Sequence, residues 1–140
     1  MKTVHVSASR DYDVRIDSGL FVGLGALIKQ SVPAQTAVLV TDDTVDTLYG
    51  TQAAHSLAEA GFRVLRFVFP HGERSKSLAT FGQVLNFLCE NHVTRSDVII
   101  ALGGGVVGDL AGFAAACYQR GIRFVQVPTT LLAMVDSSVG

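Results

Sequence analysis

The sequence has 140 residues, which is enough for one domain with a hydrophobic core and short for two. Apolar residues make up 49% and charged residues only 16%, which excludes a disordered chain. Eleven basic and twelve acidic side chains give a net charge of -1, so no global field favours nucleic acid or an anionic membrane. The low charge content predicts that part of the surface is covered by a partner.

Cysteine usage and hydropathy indicate the compartment. The two cysteines, Cys89 and Cys117, form no Cys-x-x-Cys pair, so we expect a reducing compartment and a cytoplasmic protein. The first residues lack the apolar centre of a secretory signal. The apolar stretch 98–118 carries one charge, Asp109, which would cost about 2.5–3.5 kcal/mol at the centre of a bilayer. Its glycines break it further, so it predicts a buried strand, a loop and a buried helix rather than a membrane span.

The predicted elements alternate between strands and helices along most of the chain. Residues 4–16 alternate polar and apolar around a turn, which predicts a hairpin of two half-exposed strands. Helical spacing follows over 20–30, with Ser18 as its N-cap. Further strands are predicted at 37–40, 62–69, 98–102 and 122–127. Further helices are predicted from about residue 44 to Ala60, over 77–91, over 107–118 and just after Pro128.

The pattern of strands and helices defines a fold class. Strands that are apolar on both faces and alternate with helices indicate a parallel sheet covered on both sides. We predict an α/β fold, a Rossmann-like doubly wound parallel sheet of four strands preceded by an N-terminal β-hairpin. Ligands bind such sheets beyond the carboxyl ends of the strands, where this sequence places its unusual residues.

A glycine-rich turn follows the most apolar strand. Gly103, Gly105 and Gly108 satisfy the G-x-G-x-x-G spacing, and glycines before a helix N-terminus let a backbone approach a pyrophosphate. A tight strand-to-helix turn needs glycine for steric reasons alone, so packing is the alternative. The turn departs from the ordinary Rossmann fingerprint, because it does not follow the first strand and no acidic residue answers it about 20 residues later.

Polar residues stand at the other strand ends. Asp42 and Asp43 suit ribose hydroxyls or, equally, the cap of the next helix. The loop 70–77, with Glu73 and Lys76, faces the crevice or is simply solvated, and Thr129 and Thr130 bind phosphate or cap a helix. Arg120 complements a helix dipole or reaches an anion.

Signs of an independent reaction centre are missing from the sequence. The four histidines are scattered without metal-ligand spacing, so no metal site is predicted. No nucleophile elbow or Ser-His-Asp order is present either. The sequence therefore predicts a domain that holds a cofactor and has no catalytic residues of its own.

Several long motifs make the chain resemble the 3-dehydroquinate synthase family. They are GGGVVGDLAGF at 103–113, YQRGIR at 118–123 and VPTTLLAMVDSSVG at 127–140, with GERSKS at 72–77. The resemblance implies conversion of 3-deoxy-D-arabino-heptulosonate 7-phosphate to 3-dehydroquinate and phosphate, in the shikimate pathway of aromatic amino acid biosynthesis. It also implies tightly held NAD, which transiently oxidises a substrate hydroxyl, and a divalent metal, zinc or cobalt.

The resemblance assigns roles to individual positions. The residues implied to bind NAD are Asp42, Asp43, Gly72, Glu73, Lys76, Gly104, Gly105, Val106, Gly108, Asp109, Thr129, Thr130, Leu132 and Ser137. Arg120 and Asp136 match substrate-contacting positions, with Arg120 directed towards a phosphate in a neighbouring subunit.

The family sequence continues after the motif that ends at Gly140. Its helical C-terminal domain carries the metal ligands, a Glu and two His, and most catalytic lysines. We therefore expect residues 1–140 to be an NAD-binding N-terminal domain, a fragment that cannot complete the reaction alone, of an enzyme that is a homodimer. The alternatives are the cofactor domain of an iron-dependent alcohol or glycerol dehydrogenase and a non-catalytic nucleotide-binding module.

Overall fold

The computed structural model describes residues 1–139. Its strands are β1 (Lys2–Val6), β2 (Tyr12–Ile16), β3 (Thr36–Asp42), β4 (Arg63–Phe69), β5 (Val98–Gly103) and β6 (Arg123–Pro128). Its α-helices are α1 (Leu24–Ser31), α2 (Asp43–Val45), α3 (Thr51–Glu59), α4 (Leu78–Glu90) and α5 (Gly105–Cys117). Shorter helical turns span Asp46–Gly50, Glu73–Ser75, Tyr118–Arg120 and Ala133–Ser137.

The strands form two separate sheets. Four strands lie in the order β4-β3-β5-β6, and each neighbouring pair is parallel. Strands β1 and β2 pair only with each other, antiparallel, with Val4 opposite Val14. The predicted parallel sheet and the predicted N-terminal hairpin are both confirmed.

The sheet is buried on both faces because successive side chains of a strand point to opposite sides. In β3, Val38 and Val40 pack with α4 and α5 on one face, and Leu39 packs with α1 and α3 on the other. In β5, Ile99 belongs to the first cluster and Ile100 to the second. All five side chains are fully buried, which is the doubly wound arrangement that the apolar runs predicted.

A side-chain hydrogen bond joins β3 to β5 near each end. Where the strands begin, the backbone N–H of Thr36 donates to Oδ1 of Asp97 at 3.1 Å. Where they end, Oγ1 of Thr41 donates to the carbonyl of Leu102 at 2.7 Å. We call these two sides of the sheet the amino edge and the carboxyl edge.

Two helix boundaries differ from the prediction. Helix α1 begins at Leu24 instead of residue 20, and Gly23, not Ser18, is its N-cap position. The reason is tertiary, because the N–H of Gly25 in the first turn donates to Oγ of Ser56 on α3 at 2.9 Å. Helix α5 begins at Gly105, two residues earlier than predicted, and the strand, turn and helix predicted over 98–118 are confirmed. None of the helices formed by residues 1–139 is both long and apolar enough to cross a membrane.

Candidate functional site

One cleft of about 270 Å³ lies at the carboxyl edge of the sheet. Every one of the four parallel strands leads into a segment that lines it. The lining residues are Asp42, Thr44, Val45, His71, Gly72, Gly104, Gly105, Val106, Val107, Thr129 and Thr130. Seven of the fourteen positions implied to bind cofactor are among them: Asp42, Gly72, Gly104, Gly105, Val106, Thr129 and Thr130.

The first turn of α5 supplies backbone donors to this cleft. Gly104 is the N-cap residue, and no side chain caps the helix within residues 1–139. The N–H groups that open an α-helix have no partner inside the helix, and the helix dipole adds partial positive charge at the same place. Because Gly105, Val106 and Val107 line the cleft, this end of α5 is suited to bind an anionic group.

The glycines of the turn serve different purposes. A Cβ on Gly103 would meet Cγ2 of Val107 at 2.6 Å, so this glycine is required by packing. A Cβ on Gly104 would lie 3.3 Å from Cγ2 of Thr130, which is tight. A Cβ on Gly105 would meet only Oγ of Ser137, at 3.6 Å, an ordinary contact. Packing therefore explains Gly103 but leaves Gly105 unexplained.

Gly108, the last glycine of the motif, lies deeper in α5. A Cβ there would come within 3.1 Å of Oε1 of Gln126 on β6. Gly108 is not among the residues that line the cleft. The contact favours close packing of α5 on β6 as the reason for this glycine.

The two aspartates at the carboxyl end of β3 have separate partners. Oδ1 of Asp42 accepts the N–H of Val45 at 2.8 Å, so Asp42 caps α2 as well as lining the cleft. Oδ1 of Asp43 accepts the backbone N–H of His71 at 2.9 Å and lies 2.7 Å from its Nδ1. The hydrogen bond from the His71 ring holds the pKa of Asp43 below its ordinary value. These contacts connect the ends of β3 and β4.

An ion pair joins the loop after β4 to α5. Nζ of Lys76 lies 2.6 Å from Oδ2 of Asp109, and the hydrogen bond raises the pKa of Lys76 above its ordinary value. Glu73 adds a smaller attraction to the same ammonium from the turn Glu73–Ser75. These three side chains do not line the cleft, but the pair fixes the loop that contributes Gly72 to it.

The segment after β6 contributes Thr129 and Thr130 to the cleft. The N–H of Thr129 donates to the carbonyl of Gly103 at 3.0 Å, and Oγ1 of Thr130 accepts the N–H of Ala133 at 3.1 Å. Thr130 therefore caps the terminal turn, the second of the two roles open from the sequence. Ser137 lies beside Gly105, whereas Leu132 is 70% exposed and outside the cleft lining.

The two positions implied to contact substrate are not in this cleft. Arg120 follows the far end of α5 in a left-handed conformation with φ 63°, and is exposed near the amino edge. Asp136 is exposed in the terminal turn Ala133–Ser137. Neither side chain has a partner among residues 1–139.

Four lining residues were not predicted from the sequence: Thr44, Val45, His71 and Val107. The sequence did contain a signal for His71, which comes just after the carboxyl end of β4 as Asp43 comes just after that of β3. Its pairing with Asp43 depends on the register of β3 against β4, which places Asp42 opposite Phe69. That register is not encoded in any short stretch of sequence.

The fold and this cleft define an α/β domain with an uncapped helix N-terminus at the carboxyl edge of a parallel sheet. The family model described as 3-dehydroquinate synthase N-terminal matches residues 66–140, and the chain belongs to this family. A 3-dehydroquinate synthase from Streptococcus suis (strain 05ZYH33) is 52% identical over 129 residues, covering 92% of this chain. The match covers 36% of that relative's length, so this chain spans little more than a third of it.

Solved structures of related cyclases match the same fold. A 2-deoxy-scyllo-inosose synthase complexed with carbaglucose-6-phosphate, NAD+ and Co2+ is 26% identical with a TM-score of 0.86, covering 97% of this chain and 38% of that one. A 2-epi-5-epi-valiolone synthase from Streptomyces hygroscopicus subsp. jinggangensis 5008, with NAD+ and Zn2+ bound, is 33% identical with a TM-score of 0.81 and covers 96% and 38%.

Dehydrogenases, the alternative family left open by the sequence, share the architecture. A glycerol dehydrogenase from Schizosaccharomyces pombe matches with a TM-score of 0.62 at 21% identity, covering 78% of this chain and 25% of that one. A likeness at this identity shows the fold alone. The family match favours the cyclases over the dehydrogenases.

Proposed function

We propose that this chain is the NAD-binding N-terminal domain, residues 1–140, of a 3-dehydroquinate synthase. The observation that carries the proposal is the open first turn of α5 at Gly104 and Gly105, beside a cleft of about 270 Å³. Gly105 has room for a side chain that it lacks, which is expected where a ligand rather than protein fills the space. The related cyclases solved with NAD+ support the same cofactor here.

The residues of the cleft would divide the work of binding. The N–H groups of Gly105 and Val106 would bind the pyrophosphate, and the capping carboxylate of Asp42 would accept hydrogen bonds from ribose hydroxyls. Thr129 and Thr130 line the cleft beside the glycine turn, with the N–H of Thr129 bonded to the carbonyl of Gly103, and would bind the cofactor from there. Bound NAD supplies reversible oxidation of a substrate hydroxyl.

The remaining positions implied by the family lie around the cleft. Lys76 and Asp109 would hold the loop of Gly72 and Glu73 against the cofactor, with Asp43 fixing His71 at the same rim. Ser137, Leu132 and Gly108 would support the wall formed by the terminal turn and α5. Arg120 and Asp136 would act on substrate from outside this cleft, with Arg120 serving a neighbouring subunit of a homodimer.

The metal would be held elsewhere in the enzyme. Within residues 1–139, no group of three or more His, Cys, Asp or Glu side chains is placed to hold a metal ion. The related structures contain Co2+ or Zn2+, and a divalent metal bound by another part of the enzyme accords with this chain's share of its relatives' length. We propose that the whole enzyme converts the heptulosonate phosphate to 3-dehydroquinate in the cytoplasm, and that this chain alone is inactive.

The proposal is tested by titrating the chain with NAD+ in a calorimeter. We expect saturable binding. Gly105→Ala should weaken it about tenfold or more, because the added methyl group would keep the pyrophosphate away from N–H groups whose charge-assisted hydrogen bonds contribute about 1.5–3 kcal/mol each. Gly82→Ala is the matched control, since a Cβ at Gly82 on α4 meets no atom within 4 Å. Equal affinity of Gly105→Ala and the parent chain would reject the pyrophosphate role, and turnover of the heptulosonate phosphate by the chain would reject inactivity.

A further inference from the structure

A second cleft lies at the amino edge of the sheet, on the opposite side from the proposed cofactor site. It has a volume of about 360 Å³. Six residues line it: Arg10, Arg95, Ser96, Gly121, Ile122 and Arg123. Three of the six are arginines. Strand β5 runs from one edge to the other and has six residues, so the two clefts are separated by roughly 20 Å.

The three arginines come from separate parts of the chain. Arg10 lies in the hairpin loop, Arg95 in the loop before β5, and Arg123 is the first residue of β6. Nη1 of Arg123 donates to the carbonyls of Pro33 at 3.3 Å and Ser96 at 3.1 Å, which fixes the guanidinium and leaves its other N–H groups available. The side chains of Arg10 and Arg95 are exposed and have no partner within residues 1–139.

The acidic residues next to these arginines form no ion pair with them within residues 1–139. Asp11 accepts the N–H of Ala8 at 3.1 Å, and its other oxygen lies 3.6 Å from Nε2 of His5. Asp97 is buried and its Oδ1 accepts the N–H of Thr36. None of the residues that line the cleft is acidic. The cleft therefore concentrates three positive charges in a chain whose net charge is -1.

We propose that this cleft binds the phosphate group of a small phosphate monoester. A guanidinium group can donate two parallel hydrogen bonds to two oxygens of one phosphate. A phosphate dianion also compensates three positive charges better than a single carboxylate does. A volume of about 360 Å³ falls within the range of ligand pockets and leaves room for the organic part of the ester. The two clefts share no lining residue, so this proposal does not depend on NAD binding at the carboxyl edge.

The ligand is tested by recording backbone amide NMR spectra of the chain during titration. The probes are glucose 6-phosphate, inorganic phosphate and glucose. We expect glucose 6-phosphate to shift the amides of Ser96, Gly121 and Ile122, inorganic phosphate to shift them at higher concentration, and glucose to leave them unchanged. Shifts by inorganic phosphate at the same or lower concentration would overturn the ester and assign the cleft to the free ion, and no shift by either would overturn the site.

The residues are tested by removing one charge at a time. Arg10→Gln and Arg95→Gln should each weaken glucose 6-phosphate binding about tenfold, and added salt should weaken it further. Arg74→Gln is the matched control, because Arg74 is exposed, unpaired within residues 1–139 and in the loop at the carboxyl edge. Arg10 and Arg95 are both exposed, so replacing them should not disturb the core. Unchanged amide signals away from the cleft would show that the fold of each variant is intact. An equal loss in Arg74→Gln, or no loss in either cleft variant, would contradict the assignment.

Discussion

The two edges of the sheet present opposite kinds of hydrogen-bond donor. At the carboxyl edge the donors are backbone N–H groups of Gly105 and its neighbours, fixed in place by a helix. At the amino edge they are the guanidinium groups of Arg10, Arg95 and Arg123, each carrying a full charge. A backbone donor requires that no side chain stand in front of it, whereas an arginine donor requires only that its charge be left uncompensated. Ligand binding at the carboxyl edge should therefore respond to the size of nearby side chains, and binding at the amino edge to charge and salt concentration.

The same contrast applies to the bonds that join β3 and β5. At the amino edge, buried Asp97 accepts three hydrogen bonds, from the N–H of Thr36 and from the N–H and hydroxyl of Thr94. At the carboxyl edge, the neutral hydroxyl of Thr41 donates one bond to Leu102. The amino edge should therefore contribute more to the free energy of unfolding, and the carboxyl edge should be easier to loosen.

The largest effect is expected from Asp97→Ala. It leaves two backbone N–H groups of the amino edge without an acceptor, which should lower the free energy of unfolding by about 3 kcal/mol. Urea denaturation followed by circular dichroism measures the loss. Asp97→Asn is the control because it retains one acceptor oxygen, and it should lose about half as much. A loss below about 1 kcal/mol for Asp97→Ala would show that this edge is not the stronger one.

Gly103→Ala should come next, at about 2 kcal/mol, because the new methyl group overlaps Val107. Combining it with Val107→Ala removes both Cγ atoms and leaves only the Cβ of residue 107, at 2.8 Å, in the way, so the double variant should be more stable than the sum of the two single losses predicts. Gly82→Ala again serves as the control and should not destabilise the chain. Strict additivity in the same denaturation experiment would rule out the steric explanation.

Thr41→Val should lower the free energy of unfolding by about 1 kcal/mol, since one neutral hydrogen bond is lost with little change in shape. The matched control is Thr36→Val, because Thr36 uses only its backbone N–H in the bond to Asp97. If both variants lose the same amount, the hydroxyl of Thr41 does not join the strands in solution.

The smallest effect is a shift in titration. His71→Ala should raise the pKa of Asp43 towards its ordinary value, because the hydrogen bond from the imidazole favours the carboxylate. A carboxyl whose pKa is depressed on folding stabilises the fold above its unfolded pKa, and this contribution is lost as pH falls through the folded pKa. The stability difference between the parent and His71→Ala should therefore shrink in acid.

NMR titration of the Asp43 carboxyl carbon measures this pKa directly. His55→Ala is the control, since His55 pairs with Glu59 on α3 and does not contact Asp43. The backbone N–H of residue 71 still reaches Asp43 in this variant, so part of the depression should remain. An Asp43 pKa as low in His71→Ala as in the parent would exclude the imidazole as a cause.

The sequence predicted the carboxyl edge better than the amino edge. The strands β3 and β5 are apolar on both faces, and the glycine turn follows one of them directly, so local pattern alone located the open helix terminus. The charged cleft was not predicted, because Arg10, Arg95 and Arg123 are far apart in the chain and meet only through the topology of the sheet. The pairing of Asp43 with His71 was missed for the same reason.

Capping roles were open in the sequence and resolved by the fold. Asp42, Ser77 and Thr130 each accept a backbone N–H three residues later, as helix caps do. Ser18 was predicted as a cap and is not one, since a serine from another helix takes that place. The assignment of individual residues to NAD rests on the family resemblance and stays a prediction.

The position of β3 at the centre of the sheet has a consequence for the order of folding. Paired residues of β3 and β4, such as Thr36 and Arg63, are much closer in sequence than those of β3 and β5, such as Ala37 and Val98. Closing the longer loop costs more chain entropy, by roughly 0.6 kcal/mol for each doubling of length, so β5 should join a preformed β3–β4 pair. Both clefts contain residues flanking β5. A nascent chain therefore should acquire neither binding surface until that late docking step, and both should arise together.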